Sequence, residues 1–147
     1  METEKPLNAL VVDDSGIMRK LVMRALTESR LARFAFIEAT DGADAFAKCQ
    51  AQPVDIIFVD WNMPNINGID FVGKVRETEK RHVPVIMITT ERTMGKVEEA
   101  MTNAGVDAYV CKPFTTEVLT QKLEPVLARC AAPVEAGFFS KLVGKLS

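Results

Sequence analysis

Five short runs of almost continuous apolar residues alternate with longer amphipathic stretches, and this alternation limits the possible folds more than any other feature of the sequence. Short runs rich in β-branched residues are typical of strands that are covered on both faces. Strict alternation of such strands with helices, through short connections, predicts an α/β domain with helices on both faces of a parallel sheet. The predicted strands are Leu7–Val12, Arg33–Ala39, Val54–Asp60, Val83–Ile88 and Asp107–Cys111.

The stretches between the runs carry the signals of helices. Asp41 is a predicted N-cap for the second helix, and Thr115 or Thr116 for the fifth. Pro125 falls inside the fifth helical pattern and has no backbone N–H, so we expect that helix to kink or end there. The predicted apolar faces are Ile17, Met18, Leu21, Val22, Ala25 and Leu26 in the first helix, Met94, Val97, Met101 and Ala104 in the fourth, and Val118, Leu119, Leu123 and Leu127 in the fifth.

Length and composition exclude several classes of protein. With 147 residues, of which 48% are hydrophobic and 26% charged, the chain suits one globular domain rather than a disordered or coiled-coil protein. The net charge of −2 attracts neither nucleic acid nor an anionic membrane, and no apolar run approaches the roughly 20 residues of a membrane span. The three cysteines lack metal-ligand spacing and no signal peptide is recognisable, so we expect reduced thiols and a cytoplasmic location.

Polar residues come directly at the ends of four of the five predicted strands. In chain order they are Asp13 and Asp14, Asp60, Thr89 and Thr90, and Lys112. Because the carboxyl ends of parallel strands meet at one edge of the sheet, where ligands bind in open α/β folds, we expect these side chains to converge. Each of them alone would be an ordinary cap or turn residue, but their conjunction predicts a functional site.

The three predicted neighbouring carboxylates need positive charge. Two carboxylates about 5 Å apart repel by roughly 3 kcal/mol at an effective dielectric constant near 20, so three must shift a pKa or recruit cations. Lys112 supplies one charge, and Mg²⁺, which prefers oxygen ligands and often lies beside phosphate, suits the rest. We therefore expect Asp60 to attack a phosphoryl group whose oxygens are balanced by Mg²⁺ and Lys112 and receive a hydrogen bond from Thr89.

Four segments of the chain resemble the receiver domains of bacterial response regulators: LVVDD, VDWNMPNINGID, PVIMITTE and AYVCKPF. Within that family they are most similar to the single-domain chemotaxis regulators of the CheY type. The resemblance covers about residues 6–128. The resemblance implies a flavodoxin-like (βα)5 doubly wound sheet with strand order 2-1-3-4-5. Residues 1–128 would then be the receiver domain, and residues 129–147 a linker followed by a short amphipathic helix.

The resemblance also implies which residues carry out the chemistry. Asp60 would accept the phosphoryl group. Asp13, Asp14 and Asp60, together with the backbone carbonyl of Asn62, would hold Mg²⁺. Asn62 and Glu91, two residues beyond Asp60 and Thr89, would set the rate of dephosphorylation.

A second group of residues would turn phosphorylation into a signal. Thr89 and Lys112 would stabilise the phosphate. The Thr89 hydroxyl would move toward the phosphate, and Tyr109 would then rotate inward into the space that Thr89 leaves. The Lys112–Pro113 peptide bond would be cis. Tyr109 and Lys122 would belong to the surface that faces protein partners, formed by the fourth helix, the fifth strand and the fifth helix.

Two departures from the CheY pattern fall around this machinery. Ser15, Gly16 and Ile17 stand where those regulators have a segment led by phenylalanine, and Thr93 and Met94 stand where they have two lysines. The pocket therefore matches the family more fully than the partner-facing surface does.

We expect a stand-alone phospho-aspartate switch rather than a turnover enzyme. A sensor histidine kinase would supply the phosphate, and the output would be binding to a downstream effector protein such as the flagellar motor switch, not to nucleic acid. A monomer or weak dimer is expected. The alternatives are a phosphorelay intermediate or phosphate sink, an aspartyl-phosphate phosphatase or phosphotransferase, and a scaffold that works without phosphorylation.

The last residues of the chain show a separate amphipathic pattern. Its apolar side, spanning about 140° of a helical wheel, consists of Phe138, Phe139, Leu142, Val143 and Leu146. Burying these side chains contributes roughly 8–15 kcal/mol, and ordering about ten residues costs a similar amount. We therefore expect this helix to form only when docked, on a partner protein or on the domain's own switch surface. The alternative is an inert, frayed tail. A membrane is less favoured because two lysines attract anionic lipid only weakly.

Overall fold

Five parallel strands form a single sheet in the computed structural model, which describes residues 5–134 and the side chains of residues 5–129. Their spatial order is β2-β1-β3-β4-β5, and every neighbouring pair is parallel. The flavodoxin-like order expected from the resemblance is therefore confirmed. The strands are β1 (Leu7–Val12), β2 (Phe34–Ala39), β3 (Ile56–Val59), β4 (Val85–Thr89) and β5 (Ala108–Cys111).

A helix follows each strand, so the layers are those of a doubly wound domain. The helices are α1 (Gly16–Ser29), α2 (Gly42–Ala51), α3 (Gly68–Arg76), α4 (Met94–Glu98) and α5 (Thr116–Val134). The α4 helix continues directly into a π-helical segment, Glu99–Ala104. Buried residues of α1 and α5 pack on one face of the sheet, and those of α2, α3 and the π segment pack on the other.

Side-chain caps define where the helices begin. The Asp41 carboxylate accepts a hydrogen bond of 2.7 Å from the Asp44 amide and caps α2, as predicted. Of the two threonines considered for α5, Thr115 is the cap, because its hydroxyl accepts a hydrogen bond of 3.1 Å from the Val118 amide. Each such cap contributes about 1 kcal/mol to helix stability.

The apolar face predicted for α1 is wider than the buried one. Ile17 is 77% exposed and Leu21 is 48% exposed, so their predicted inward position is wrong. Val22, Ala25 and Leu26 are buried. A helix that lies on a sheet buries only the stripe that touches the layer beneath it, and residues at the margin of an apolar pattern remain in solvent.

The predicted faces of the fourth and fifth helices need similar corrections. Met94 is 82% exposed and Met101 39%, whereas Ala100 is fully buried. Met94 is exposed at the first position of α4, ahead of the π segment. For Met101 the reason is the π segment itself, since five-residue hydrogen-bond spacing breaks the three-and-four periodicity on which the prediction relied. Val118 of α5 is 40% exposed, while Leu119 and Leu123 fill the core as predicted.

Pro125 does not end α5, which runs on to Val134. Of the two outcomes expected at Pro125, an end of the helix is therefore wrong, and a kink stays a prediction. Residues 129–134, expected to belong to a linker, are helical. Because proline has no N–H, the carbonyl four residues before Pro125 lacks its helical hydrogen bond. Pro125 is exposed, so water can solvate this carbonyl, while the buried Val126 keeps the packing of the opposite face. The tail residues Phe138, Phe139, Leu142, Val143 and Leu146 lie outside the described residues.

A network of ionic and hydrogen bonds joins several elements at the edge of the sheet opposite the carboxyl ends of the strands. Asp107, just before β5, accepts a hydrogen bond of 2.8 Å from the Val85 amide and lies 3.4 Å from Arg76 of α3 and 3.8 Å from Arg129 of α5. Arg76 also donates to the carbonyls of Val83 and Gly105.

In the described part of the chain, no helix is long and apolar enough to cross a membrane.

The first residue of α3 can be only glycine without local rearrangement. A Cβ at Gly68 would overlap the backbone carbonyl of Asp60, whereas one at Gly73, later in the same helix, would touch nothing within 4 Å. We expect Gly68→Ala to lower the free energy of unfolding by about 1–3 kcal/mol through overpacking. The control Gly73→Ala should raise it by about 0.5–1 kcal/mol because alanine favours the helix. Urea unfolding measures both, and equal effects would contradict this packing.

Candidate functional site

Three carboxylates meet at the carboxyl edge of the sheet. Asp13 and Asp14 follow β1, and Asp60 follows β3, which is the direct neighbour of β1. One carboxylate oxygen from each residue lies within 4.8 Å of the others. Asp13 and Asp60 are 4% and 8% exposed, whereas Asp14 is open to solvent. The predicted convergence is therefore present.

Lys112 is the cation that holds this cluster together. Its Nζ lies 2.7 Å from Oδ2 of Asp13 and 3.3 Å from Oδ2 of Asp60. The side chain is buried, and the Lys112 amide donates a hydrogen bond of 2.8 Å to the Thr89 carbonyl, which fixes its backbone beside β4. The Lys112–Pro113 peptide bond is cis, as the resemblance implied.

Asp60 is in an environment that opposes its charge. Burial raises the pKa of this carboxyl above its ordinary value, and the nearby Asp13 adds to the effect. The Lys112 ammonium and the Thr89 hydroxyl act in the opposite direction but do not cancel the increase in pKa. Oδ1 of Asp60 is also the one buried polar atom, among the described side chains, that has no hydrogen-bond partner. This oxygen is consequently free to bond to a cation or to an electrophile.

The donor set of the cluster fits a Mg²⁺ ion. It presents only carboxylate oxygens, the ligand type that Mg²⁺ prefers, and Asp60 Oδ1 is an acceptor without a partner. Asp13 is held in place from both sides, because its Oδ1 accepts from the Ser15 amide at 2.9 Å and its Oδ2 pairs with Lys112. The part of the backbone carbonyl of Asn62 as a further ligand stays a prediction.

The residues expected to tune dephosphorylation contact each other beside the cluster. The Asn62 side-chain amide donates a hydrogen bond of 3.1 Å to the Glu91 carboxylate. This bond joins the loop after β3 to the loop after β4. Thr89, the last residue of β4, is fully buried, and its hydroxyl accepts a 3.4 Å hydrogen bond from the Glu91 amide.

Tyr109 occupies an inward position in this structure. Its side chain is 8% exposed, and its hydroxyl donates a hydrogen bond of 2.6 Å to the Glu91 carbonyl. Burial raises the pKa of Tyr109 to about 12. The phenol therefore remains a hydrogen-bond donor throughout the neutral pH range. Lys122 lies exposed on α5, along the same surface as Tyr109.

Three basic residues that sequence reasoning missed support the site. Arg92 donates a hydrogen bond to the Lys112 carbonyl, and Lys96 of α4 lies 4.6 Å from the centre of the Trp61 ring. Arg19 of α1 donates to the Asp13 carbonyl at 2.7 Å. The first two come from the segment ERTMGK, whose departure from the CheY pattern was the only available signal.

Comparison with known proteins agrees with this geometry. Residues 9–124 match the response regulator receiver domain. The chain belongs to this family. Among curated relatives, chemotaxis protein CheY1 of Helicobacter pylori is 44% identical over 123 residues, which are 82% of this chain and 97% of the relative. Chemotaxis protein CheY of Pseudomonas aeruginosa is 38% identical over 124 residues, 84% of this chain and 98% of the relative.

Solved structures of similar receiver domains share the fold. CheY4 of Vibrio cholerae superposes with a TM-score of 0.74 at 33% identity, over 83% of this chain and 99% of that one. A chain in the CheX–CheY–BeF3–Mg complex of Borrelia burgdorferi gives a TM-score of 0.77 at 27% identity, over 86% of this chain and 92% of that one.

The raised pKa of Asp60 predicts a pH-dependent stability. The folded domain binds the Asp60 proton more tightly than the unfolded chain does, because the pKa is higher in the folded state. Protonated Asp60 therefore contributes its full share to the free energy of unfolding below the pKa of an ordinary aspartate, and this contribution is lost as the pH rises through the raised pKa. At neutral pH we expect Asp60→Asn to have a higher free energy of unfolding than wild type, because the substitution removes the buried charge. The expected difference is about 1 kcal/mol, the low end of the cost of an unsatisfied buried group.

The stability difference should shrink in acid, where wild-type Asp60 is protonated. Urea unfolding at several pH values, with EDTA present, measures it. Asp14→Asn is the matched control, because it removes a charge from the same cluster without relieving burial and should have a smaller effect. A neutral-pH Asp60→Asn variant less stable than wild type would contradict the argument.

Proposed function

We propose that this receiver domain is a phosphorylation-controlled protein switch of CheY-like chemotaxis signalling. In this proposal Asp60 takes a phosphoryl group from the phosphohistidine of a sensor kinase in the cytoplasm, with Mg²⁺ as cofactor, and the surface of α4, β5 and α5 then changes its affinity for an effector. The observation that carries the proposal is the buried, unpartnered Asp60 oxygen next to Lys112 and two further carboxylates. The chain matches almost the whole length of relatives that are named as chemotaxis proteins, and this supports a role in chemotaxis signalling.

Asp60 is placed to act as the nucleophile. An Oδ of Asp60 attacks phosphorus, the bond from phosphorus to the donor breaks, and the leaving group departs with the electron pair. Lys112, 3.3 Å away, favours the ionised carboxylate that this attack requires and can afterwards pair with a phosphoryl oxygen. Mg²⁺, when bound, supplies a Lewis acid that balances charge on the transferring oxygens. The residues that would hold it are Asp13, Asp14, Asp60 and the Asn62 carbonyl.

A contact path leads from Asp60 to the partner-facing surface. Phosphorylation replaces a charge of −1 by one near −2 and adds acceptor oxygens that the Thr89 hydroxyl can reach by a small movement. Thr89 contacts the Glu91 amide, and the Glu91 carbonyl receives the Tyr109 hydroxyl. Full conversion of a two-state switch needs about 5.5 kcal/mol, which two or three charge-assisted hydrogen bonds of about 1.5–3 kcal/mol each can supply.

The arrangement favours a switch over a phosphatase. The position two residues after Asp60 is Asn62, whose amide is engaged with Glu91 and cannot serve as an acid–base catalyst for an external phosphate ester. We therefore propose that the chain takes up and loses phosphate on its own aspartate without turning over a separate substrate.

The cofactor assignment predicts a metal-linked gain in stability. Mg²⁺ at ten times its dissociation constant should raise the free energy of unfolding by about 1.4 kcal/mol, because the metal binds the folded cluster and not the unfolded chain. Thermal unfolding with and without MgCl₂ measures the gain. The same shift in Asp13→Asn would show that the ion binds elsewhere, whereas loss of the shift supports the acidic cluster.

The phosphorylation assignment is tested with a small-molecule donor. Acetyl phosphate plus Mg²⁺ should add one phosphoryl mass at Asp60 and change the fluorescence of Trp61, the only tryptophan in the chain. Mass spectrometry locates the adduct, and Asp60→Asn should show neither signal. An adduct at another residue, or none, would rule out the proposed switch. If Asp60 is modified but no protein binds preferentially to the phosphorylated form, the domain is a phosphate sink instead.

A further inference from the structure

A largely apolar groove of about 580 Å³ lies on the surface formed by α4 with its π segment, β5 and α5. Met101, which is 39% exposed, borders it on the π segment, and the charged residues in its lining are Asp107, Lys122 and Arg129. The apolar part of the lining consists of Val97, Met101, Ala108, Tyr109, Cys111, Pro125 and Val126. A groove of this kind fits the apolar face of an amphipathic helix.

We propose that the tail of the same chain, residues 138–146, docks as an amphipathic helix in this groove. The tail has an apolar side of five large residues, and the groove offers a matching apolar lining. Lys141 and Lys145 lie on the opposite side of the predicted helix. They would therefore face solvent, away from the like charges of Lys122 and Arg129 in the groove.

The lengths of the two partners agree. The groove follows α5 from Gln121 to Arg129, about 12 Å along the helix axis, and a helix of residues 138–146 is about 13 Å long. Val134, the last described residue of α5, lies about 7.5 Å beyond Arg129. The four Cα–Cα steps from Val134 to Phe138 can span about 14 Å when extended. The path back to the level of Arg129, across the roughly 8–10 Å between packed helix axes, is about 12 Å, so the chain can reverse over residues 135–137. The tail would then run antiparallel to α5 toward Cys111.

Covalent connection favours the chain's own tail over other occupants. A three-residue connection gives an effective concentration in the millimolar range, well above that of a second copy in dilute solution. The entropy cost of ordering the tail offsets most of the free energy gained by burying its apolar side chains, so a competing partner should be able to displace the docked helix. The tail would then compete with effectors for the surface that bears Tyr109 and Lys122, a consequence that rests on the proposed function, whereas the docking itself does not.

The native Cys111 allows a direct test. In a Cys130→Ser background we compare Leu146→Cys, on the apolar side of the tail and at the end that the antiparallel path brings toward Cys111, with Lys145→Cys on the polar side. Diamide oxidises the Cys111 thiol and the introduced thiol to a disulfide and takes up their two hydrogens. Because a disulfide requires Cα atoms about 4.4–6.8 Å apart, we expect the intramolecular bond to form at least about tenfold faster in the Leu146→Cys variant than in the Lys145→Cys variant. Peptide mapping by mass spectrometry identifies the bond.

Equal rates for the two variants would overturn the proposal. A disulfide between two chains, seen as a dimer on a non-reducing gel, would overturn it in favour of a second copy. Binding to phosphatidylglycerol–phosphatidylcholine vesicles without the intramolecular bond would overturn it in favour of a lipid surface. The reaction is run without a phosphoryl donor and repeated in Asp60→Asn, so a failure of docking stays distinct from a failure of phosphorylation.

Discussion

The buried ammonium of Lys112 makes the rest of the site possible. Asp13 and Asp60 lie almost entirely out of solvent on neighbouring strands, and without a shared cation their repulsion would oppose folding. One Nζ between the two carboxylates reduces this repulsion but leaves Asp60 with a raised pKa and an unpartnered oxygen. The domain thus folds with a carboxylate that is only partly neutralised, which is what the proposed role of phosphoryl acceptor requires.

Much of the fold and the site could be predicted because both follow from strand positions. A parallel sheet fixes where the carboxyl ends meet, so Asp60 and Lys112 could be placed together from the order of apolar runs. Side-chain exposure was less predictable. Met101 falls outside the core because the hydrogen bonding after α4 becomes π-helical, which no periodicity in this sequence predicts. The continuation of α5 through Pro125 depends likewise on solvent access at that face.

The loop after β4 shows which contacts sequence reasoning could not reach. Arg92 and the Tyr109 hydroxyl both attach this loop to β5, through the carbonyls of Lys112 and Glu91, and both bonds depend on the loop's conformation rather than on any spacing. The Lys96 ammonium over the Trp61 ring adds a contact between α4 and the residue after Asp60. Through Trp61, the residue next to Asp60, this contact connects the acidic cluster to α4.

The Asp107 carboxylate has an implication for how the domain can change shape. The Asp107 carboxylate bonds to α3, β4 and α5 at the edge of the sheet opposite the carboxyl ends of the strands, and so holds these elements in place relative to one another. At the opposite rim, the loop after Thr89 is attached to β5 through hydrogen bonds to backbone carbonyls, which can be exchanged for others as the loop shifts. Movement started by a new charge at the rim would therefore pivot about a stationary base, tilting the near end of α4 while leaving the hydrophobic layers undisturbed.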